Sequence, residues 1–109
     1  MKAARFAVAV TFLFGAHLAL AQGGGDAKAG KAIFDKQCAT CHGPDGTPKD
    51  AVAKMLKVEM RHLGSKEVLA KSDGDIHKVI VEGYQKMKPQ KLAEKDVANV
   101  IAHTRTLKQ

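Results

Sequence analysis

Two cysteines and a histidine lie close enough together to hold a single ligand. Cys38, Cys41 and His42 form the pattern C-x-x-C-H, which is typical of c-type haem attachment. Residues three apart lie on one side of a helical turn, so both thiols can add to the vinyl groups of one haem. The imidazole that follows is then placed under the iron. The motif predicts one haem c per chain, with Cys38 and Cys41 as thioethers and His42 as the proximal iron ligand.

Three other uses of two cysteines fit this pattern less well. A disulfide across two intervening residues closes a very small loop, so it constrains the unfolded chain little. A thioredoxin-like redox pair needs a βαβ setting, and the sequence shows no strand pattern. A zinc site would need later histidines in H-x₃₋₅-H spacing, which this chain does not have. Haem attachment therefore remains the interpretation that uses all three residues of the motif.

An electron-carrying haem needs a sixth ligand, usually a methionine sulfur or a histidine nitrogen. Met87 lies in a loop with Pro89, between two predicted helices. A thioether on a loop can approach the open face of a haem without competing for a helix surface. We therefore predict Met87 as the distal iron ligand, opposite His42.

The other methionines and histidines after the leader have simpler interpretations. Met55 and Met60 are interpreted as ordinary apolar filling, a common role of methionine. His77 is expected at the surface of a helix or partly buried there. His62 comes shortly before a helix-breaking glycine, and it is the second candidate for the sixth ligand.

The elements that must position these residues are short helices. Asp26 is a good N-cap, and Ser72 with Asp75 three residues later resembles a capping box. Gly83 is well placed to end the helix that Ser72 begins. Helices are predicted over residues 27–36, 50–60, 72–83 and from 92 to the C-terminus, with one further turn near 65–69. The sequence thus predicts an all-α domain with long loops.

The N-terminus has the layout of a secretory signal peptide. Lys2 and Arg5 precede an apolar run, and Ala19-Leu20-Ala21 forms a small-residue cleavage site. The alternative is a membrane anchor, but the run is shorter than the roughly 20 residues that span a bilayer. We predict that residues 1–21 are cleaved, leaving one domain over 22–109 that is periplasmic or otherwise exported and has no stable membrane insertion.

The chain that remains after cleavage has little aromatic bulk. Phe34 and Tyr84 are its only aromatic residues apart from histidine, and it contains no tryptophan. Domains of this size bury a modest core and often depend on a metal, cofactor or disulfide. A planar apolar cofactor would fill the missing volume.

The charge balance indicates the kind of partner. With Lys2 and Arg5 removed, 16 of the 18 basic residues remain against 11 acidic ones, a formal charge of +5. Lys36, Lys86 and Lys88 could steer an acidic redox protein, although solvated surface charge explains them equally well. No basic stripe with interleaved aromatics is present, so nucleic acid is not expected as a partner.

These features together resemble the class I c-type cytochromes, the small soluble bacterial proteins with one haem. Gly30 and Phe34 match the family's glycine and aromatic residue, eight and four positions before the first haem cysteine. Residues 83–89 resemble the stretch that carries the family's distal methionine, and residues 96–107 resemble its C-terminal helix. The resemblance covers residues 26–108.

The resemblance implies a cytochrome c fold, in which three to five short helices with long loops surround one covalent haem. It implies an electron carrier rather than an enzyme, with redox proteins as donor and acceptor. His103 stands where the family often has a tyrosine, which implies a helix-packing residue rather than a ligand. In one departure from the family, Lys88 separates Met87 from Pro89, where a direct Met-Pro is commoner.

Two alternative functions remain open at this point. A five-coordinate haem could act as a peroxidase or bind small ligands, and Arg61 with His62 is the adjacent pair that could polarise a bound oxygen species. The chain could also be the haem subunit of a larger redox complex, with the same chemistry and a different partner.

Overall fold

The computed structural model describes residues 24–109, so the predicted signal peptide over 1–21 and its cleavage before Gln22 lie outside the described residues. The described chain contains no strand, apart from one isolated bridge between Tyr84 and Met87. The all-α prediction is therefore confirmed. Six helices follow one another: α1 (Ala27–Gln37), α2 (Ala39–His42), α3 (Asp50–Leu56), α4 (Lys66–Leu69), α5 (Asp73–Glu82) and α6 (Glu94–Thr104).

Local capping explains where the helices begin and end. The Asp26 carboxylate accepts hydrogen bonds from the first backbone N–H groups of α1, and the Ser72 hydroxyl accepts one from the Asp75 N–H at 3.1 Å. The helix predicted over 50–60 ends at Leu56, because Lys57 adopts a left-handed conformation with φ 55°. The C-x-x-C-H pattern forms the additional helix α2, which raises the count within residues 24–109 to six.

The first and last helices approach each other closely at Gly30. A Cβ atom on Gly30 would overlap the backbone carbonyl of Asn99 in α6, so only glycine allows this approach. The Asn99 side chain also accepts a hydrogen bond from the Asp26 N–H, at 2.8 Å. Asp26 therefore caps α1 and ties its start to α6.

The apolar core lies between three of the six helices. Its buried side chains come from α1, α5, α6 and the C-terminal segment: Phe34, Ile76, Ile80, Val97, Val100, Ile101 and Leu107. Helices α2, α3 and α4 contribute no buried residue, and neither α3 nor α4 packs extensively against another described helix. The chain between residues 39 and 70 thus has no apolar core of its own, as expected where a cofactor supplies the missing volume.

Arg105 links the end of α6 to the start of α5. Its Nε and Nη2 atoms donate to one oxygen of Asp73, at 3.0 and 2.7 Å. Its guanidinium also donates to the carbonyls of Leu69 and Lys71, at 2.9 and 2.6 Å. The Arg105 side chain therefore attaches the turn between α4 and α5 to the C-terminal end of α6.

Within residues 24–109, none of the helices combines the length and the apolar character that a membrane crossing needs.

Candidate functional site

The haem-attachment motif forms a single helical turn. Cys38 is the C-cap of α1, where its N–H donates to the Phe34 carbonyl at 2.8 Å. The same residue begins α2, because its carbonyl accepts from the N–H groups of Cys41 at 3.2 Å and His42 at 2.9 Å. Cys38 at the junction of α1 and α2, and Cys41 and His42 on α2, therefore lie within one turn directly after the helix that anchors the fold.

The two cysteines are half-buried free thiols. Burial raises the pKa of the Cys38 thiol, and the nearby Cys41 raises it further. Thiol–disulfide oxidoreductases instead lower the pKa of their reactive cysteine to obtain a thiolate. The surroundings of Cys38, which packs against the apolar core, thus suit an attachment point better than a redox-active pair.

The His42 ring has the properties of a metal ligand. Burial lowers the pKa of His42, which keeps the imidazole neutral at pH 7 and leaves one nitrogen with a free lone pair. Its Nδ1 atom is buried and has no hydrogen-bond partner among the described residues. A buried nitrogen left without a partner is costly. A neutral, half-buried imidazole beside two free thiols fits a haem whose iron it can bind.

Met87 lies in a tight turn that the backbone closes on itself. The N–H of Tyr84 donates to the Met87 carbonyl at 3.0 Å, and the N–H of Met87 donates to the Tyr84 carbonyl at 2.8 Å. Gln85 takes a left-handed conformation, with φ 50°, to complete the turn. Met87 is half-buried, whereas the Tyr84 side chain is 63 % exposed. The turn thus directs the two side chains to different environments.

Glycine is required at the base of this turn. Gly83 ends α5 with φ 81°, and a Cβ there would lie 2.6 Å from the Met87 carbonyl oxygen and 3.0 Å from Pro89 Cδ. The N–H of Gln90 donates to the Ile80 carbonyl at 2.8 Å and anchors the far end of the loop on α5. Lys88, which separates Met87 from Pro89, does not prevent the loop from turning back onto α5 at Gln90.

His62 is engaged elsewhere, which disfavours it as the sixth ligand. Its Nδ1 atom accepts a hydrogen bond from the Gly64 N–H at 2.8 Å. A neutral ring whose Nδ1 accepts carries its proton on Nε2, so neither nitrogen has a lone pair free for iron. Gly64 is buried, and breaking the bond would leave its N–H unsatisfied at a cost of about 1–3 kcal/mol.

The remaining candidate side chains have structural roles or none. His77 is half-buried, and its Nε2 lies 2.8 Å from a carboxylate oxygen of Glu94, which links α5 to α6. His103 is 6 % exposed and packs on Phe34, in line with the helix-packing role that the resemblance implied. The interpretation of Met55 as apolar filling does not hold, because its side chain is 72 % exposed on α3.

Two surface depressions lie away from the motif. One, of about 230 Å³, runs between α5 and α6 beside the His77–Glu94 pair. The other, of about 330 Å³, has a polar lining that includes His62 and Arg61. Neither is lined by Cys38, Cys41, His42 or Met87, and the described residues contain no group of three or more His, Cys, Asp or Glu side chains that could hold a metal ion.

Two supporting residues could not be identified from the motif. Asn99 is a polar residue within the buried face of α6, and its place inside an otherwise apolar stripe is the signal that could have identified it. Arg105 is one of many basic residues, and nothing in the sequence distinguishes it from the others.

Comparisons with known proteins agree with this architecture. A family model described as cytochrome c matches residues 27–108. A solved structure titled "KustC0563 c-type cytochrome" is similar, with a TM-score of 0.64 and 32 % sequence identity over 73 % of this chain and 98 % of that chain. No curated protein matches the sequence. This chain therefore belongs to the cytochrome c family and carries covalently bound haem c.

Proposed function

We propose that this protein is an exported, non-enzymatic electron carrier, in which Cys38 and Cys41 bind haem c and His42 and Met87 are its axial ligands. The observation that carries the proposal is the turn formed by helix α2 and its N-cap Cys38, which brings two thiols and a neutral imidazole together. Membership of the cytochrome c family supports the same conclusion independently.

Each residue of the motif has a distinct role. The thiols of Cys38 and Cys41 would each form a thioether, so the haem would stay attached after export. The His42 imidazole would bind the iron from the side of α2. Haem iron, when bound in this way, supplies one-electron chemistry, since it changes between its ferric and ferrous states.

Met87 would close the second axial position. It is half-buried in a turn that Gly83 allows, whereas the rival ligand His62 already uses its Nδ1 lone pair. If His42 and Met87 both held the iron, no iron position would remain for a substrate, and the haem would supply one-electron transfer to a redox partner. The five-coordinate alternative would require that Met87 does not bind the iron.

The partner side of the proposal rests on the charge around the Met87 turn. Residues 83–93 contain Lys86, Lys88 and Lys91 and no acidic residue. All three lysines are exposed, and the ion pairs formed within residues 24–109 do not include them. Such a local excess of positive charge would speed encounter with an acidic redox protein, whether this chain acts as a free carrier or as a haem subunit.

Export completes the proposal. Residues 1–21 would be removed before Gln22, and the single domain over 22–109 would act in the periplasm. Only the leader pattern supports this compartment. The mass of the purified protein's N-terminal peptide is the direct test, and a chain that retains residues 1–21 would contradict it.

The experiment that tests the proposal is a visible spectrum and redox titration of the purified holoprotein, with two cysteine variants. We expect a reversible one-electron couple in the wild type. Cys38→Ser and Cys41→Ser should each leave only one thioether, and the double variant should lose its haem on denaturation. A wild-type protein without a covalently retained haem, or without a reversible couple, would contradict the proposal.

A further inference from the structure

The loop that follows His42 is tightly tied to α2. The N–H of Gly43 donates to the Ala39 carbonyl at 2.9 Å, and the N–H of Lys49 donates to the Cys41 carbonyl at 3.0 Å. Within the loop, the N–H of Gly46 donates to the Gly43 carbonyl at 3.2 Å. Because both ends of this loop bond to α2, a displacement of Gly46 moves the helix that carries His42.

A second segment, residues 62–64, holds this loop from outside. The N–H of Leu63 donates to the Gly46 carbonyl at 3.0 Å. The His62 ring lies on the same side of Gly46, where a Cβ on Gly46 would meet His62 Cε1 at the ordinary contact distance of 3.4 Å. The hydrogen bond from the Gly64 N–H to His62 Nδ1, at 2.8 Å, fixes the orientation of that ring.

The 62–64 segment is itself anchored to the C-terminus. Gly64 lies against the backbone of Lys108, where a Cβ would approach the Lys108 nitrogen to 2.7 Å. The side chain of Leu107, a core residue, reaches Gly46 from the same side. Since α2 has no buried residue of its own, its position depends on α1 before it and on these contacts after it.

We propose that His62 is a positioning residue for the proximal ligand. The hydrogen bond from the Gly64 N–H to the His62 ring holds the 62–64 segment in place. Through the bond from the Leu63 N–H to Gly46, this segment fixes the position of His42 and limits water access on that side. The inference rests on the proposed function, because it takes His42 as the iron ligand. It assigns His62 a role through the loop and not through a bond to iron.

Two substitutions separate the hydrogen bond from the bulk of the side chain. In His62→Asn, the side-chain oxygen can accept the same N–H two residues ahead, as asparagine commonly does in turns. In His62→Leu, the bulk remains but the acceptor is lost. His77→Leu is the matched control, since it also removes a half-buried histidine and its hydrogen bond, but lies on α5.

The readout is the reduction potential of the holoprotein, together with its haem content and oxidised spectrum. Greater access of water to a haem favours the more highly charged ferric state. We therefore expect His62→Leu to raise the ferric-to-ferrous ratio at a fixed potential by up to about tenfold, equivalent to a potential lower by about 59 mV for one electron. His62→Asn should recover most of the shift, and His77→Leu should show none.

Three outcomes would overturn the inference. Wild-type potentials in both His62 variants would show that the ring does not act on the proximal side. A loss of the six-coordinate spectrum in both variants would make His62 the iron ligand, which would also contradict the role proposed for Met87. If His62→Leu does not fold, His62→Gln takes its place, because its longer side chain moves the acceptor away from the turn position that asparagine keeps. Equal potentials in His62→Gln and His62→Asn would then overturn the inference. Failure of the proposed function is distinguishable, because the wild type itself would then lack a reversible couple.

Discussion

The rings of Phe34 and His103 meet edge to face, with centroids 5.0 Å apart and an interplanar angle of 61°. This pair lies where α1 packs on α6, and the His103 Nε2 atom is buried there without a partner among the described residues. An aromatic contact in this position is favourable, but it places a titratable ring inside the core. The consequence is a dependence of stability on pH.

We expect stability to fall as the medium becomes more acidic than the ordinary histidine pKa of 6.5. Burial lowers the pKa of His103 in the folded protein, while Asp35 raises it and Lys31 lowers it to smaller extents. The unfolded chain therefore takes up a proton first, and stability is lost from pH 6.5 down to the lowered folded value. Urea unfolding of the holoprotein between pH 8 and pH 5 measures this slope.

His103→Tyr keeps an aromatic edge against Phe34 and removes the titrating group. We expect its unfolding free energy to vary less with pH over the same range than that of the wild type. Equal slopes in the two proteins would mean that another group causes the acid sensitivity.

The sixth ligand is tested by Met87→Ala. Loss of the methionine sulfur should abolish the weak absorption band near the red end of the oxidised spectrum. It should also lower the reduction potential, because methionine ligation raises that potential. Met55→Ala is the matched control, since this methionine is exposed on α3. An unchanged spectrum in Met87→Ala would show that Met87 is not the ligand.

The close crossing of α1 and α6 is tested by Gly30→Ala. The added methyl group would overlap the Asn99 carbonyl, so the helices must separate, at a cost of about 1–3 kcal/mol or more. Gly74→Ala in α5 is the control, because its Cβ would meet only the Ser72 hydroxyl, at 3.8 Å. There we expect a gain of about 0.5–1 kcal/mol from helix propensity. Thermal or urea unfolding measures the change in unfolding free energy of both variants. Equal changes would contradict a close approach of α1 and α6 at Gly30.

The Arg105 contacts predict a large effect for a substitution that preserves charge. Lysine cannot reproduce the planar fork that bonds Asp73 and two carbonyls, so Arg105→Lys should lower the unfolding free energy by about 1–3 kcal/mol. Arg61→Lys, at an exposed pair with Glu67 separated by 3.9 Å, should change it little. Urea unfolding compares the two, and similar small losses would show that the fork contributes no more than a surface pair.

The partner surface is tested by charge reversal beside the Met87 turn. Lys86→Glu with Lys88→Glu should slow electron transfer to an acidic redox protein, and the difference from wild type should shrink as salt rises. Lys28→Glu with Lys95→Glu makes the same change in net charge at exposed sites elsewhere. Equal slowing in both double variants, measured by stopped-flow spectroscopy, would indicate net charge and not a docking surface.

Local signals in the sequence account for the helices and for the chemistry of the motif. Asp26 and Ser72 cap helices through neighbours two or three residues away, so the chain nearby is enough to predict them. Cys38, Cys41 and His42 lie within five consecutive residues, and one helical turn brings them together whatever surrounds it. The haem prediction and the all-α class follow from such short-range relations.

Contacts between distant residues decided the rest. Nothing near Gly30 in the sequence reveals that Asn99 will lie against it, and Arg105 finds its partners more than thirty residues away. The orientation of the His62 ring depends on the hydrogen bond from the Gly64 N–H, and Gly64 lies in a segment that the C-terminus holds. The residues that can attach a haem are evident from the chain alone, because they are close neighbours in it. The distant side chains that support them emerge only on folding, because helix packing and long-range hydrogen bonds select those partners.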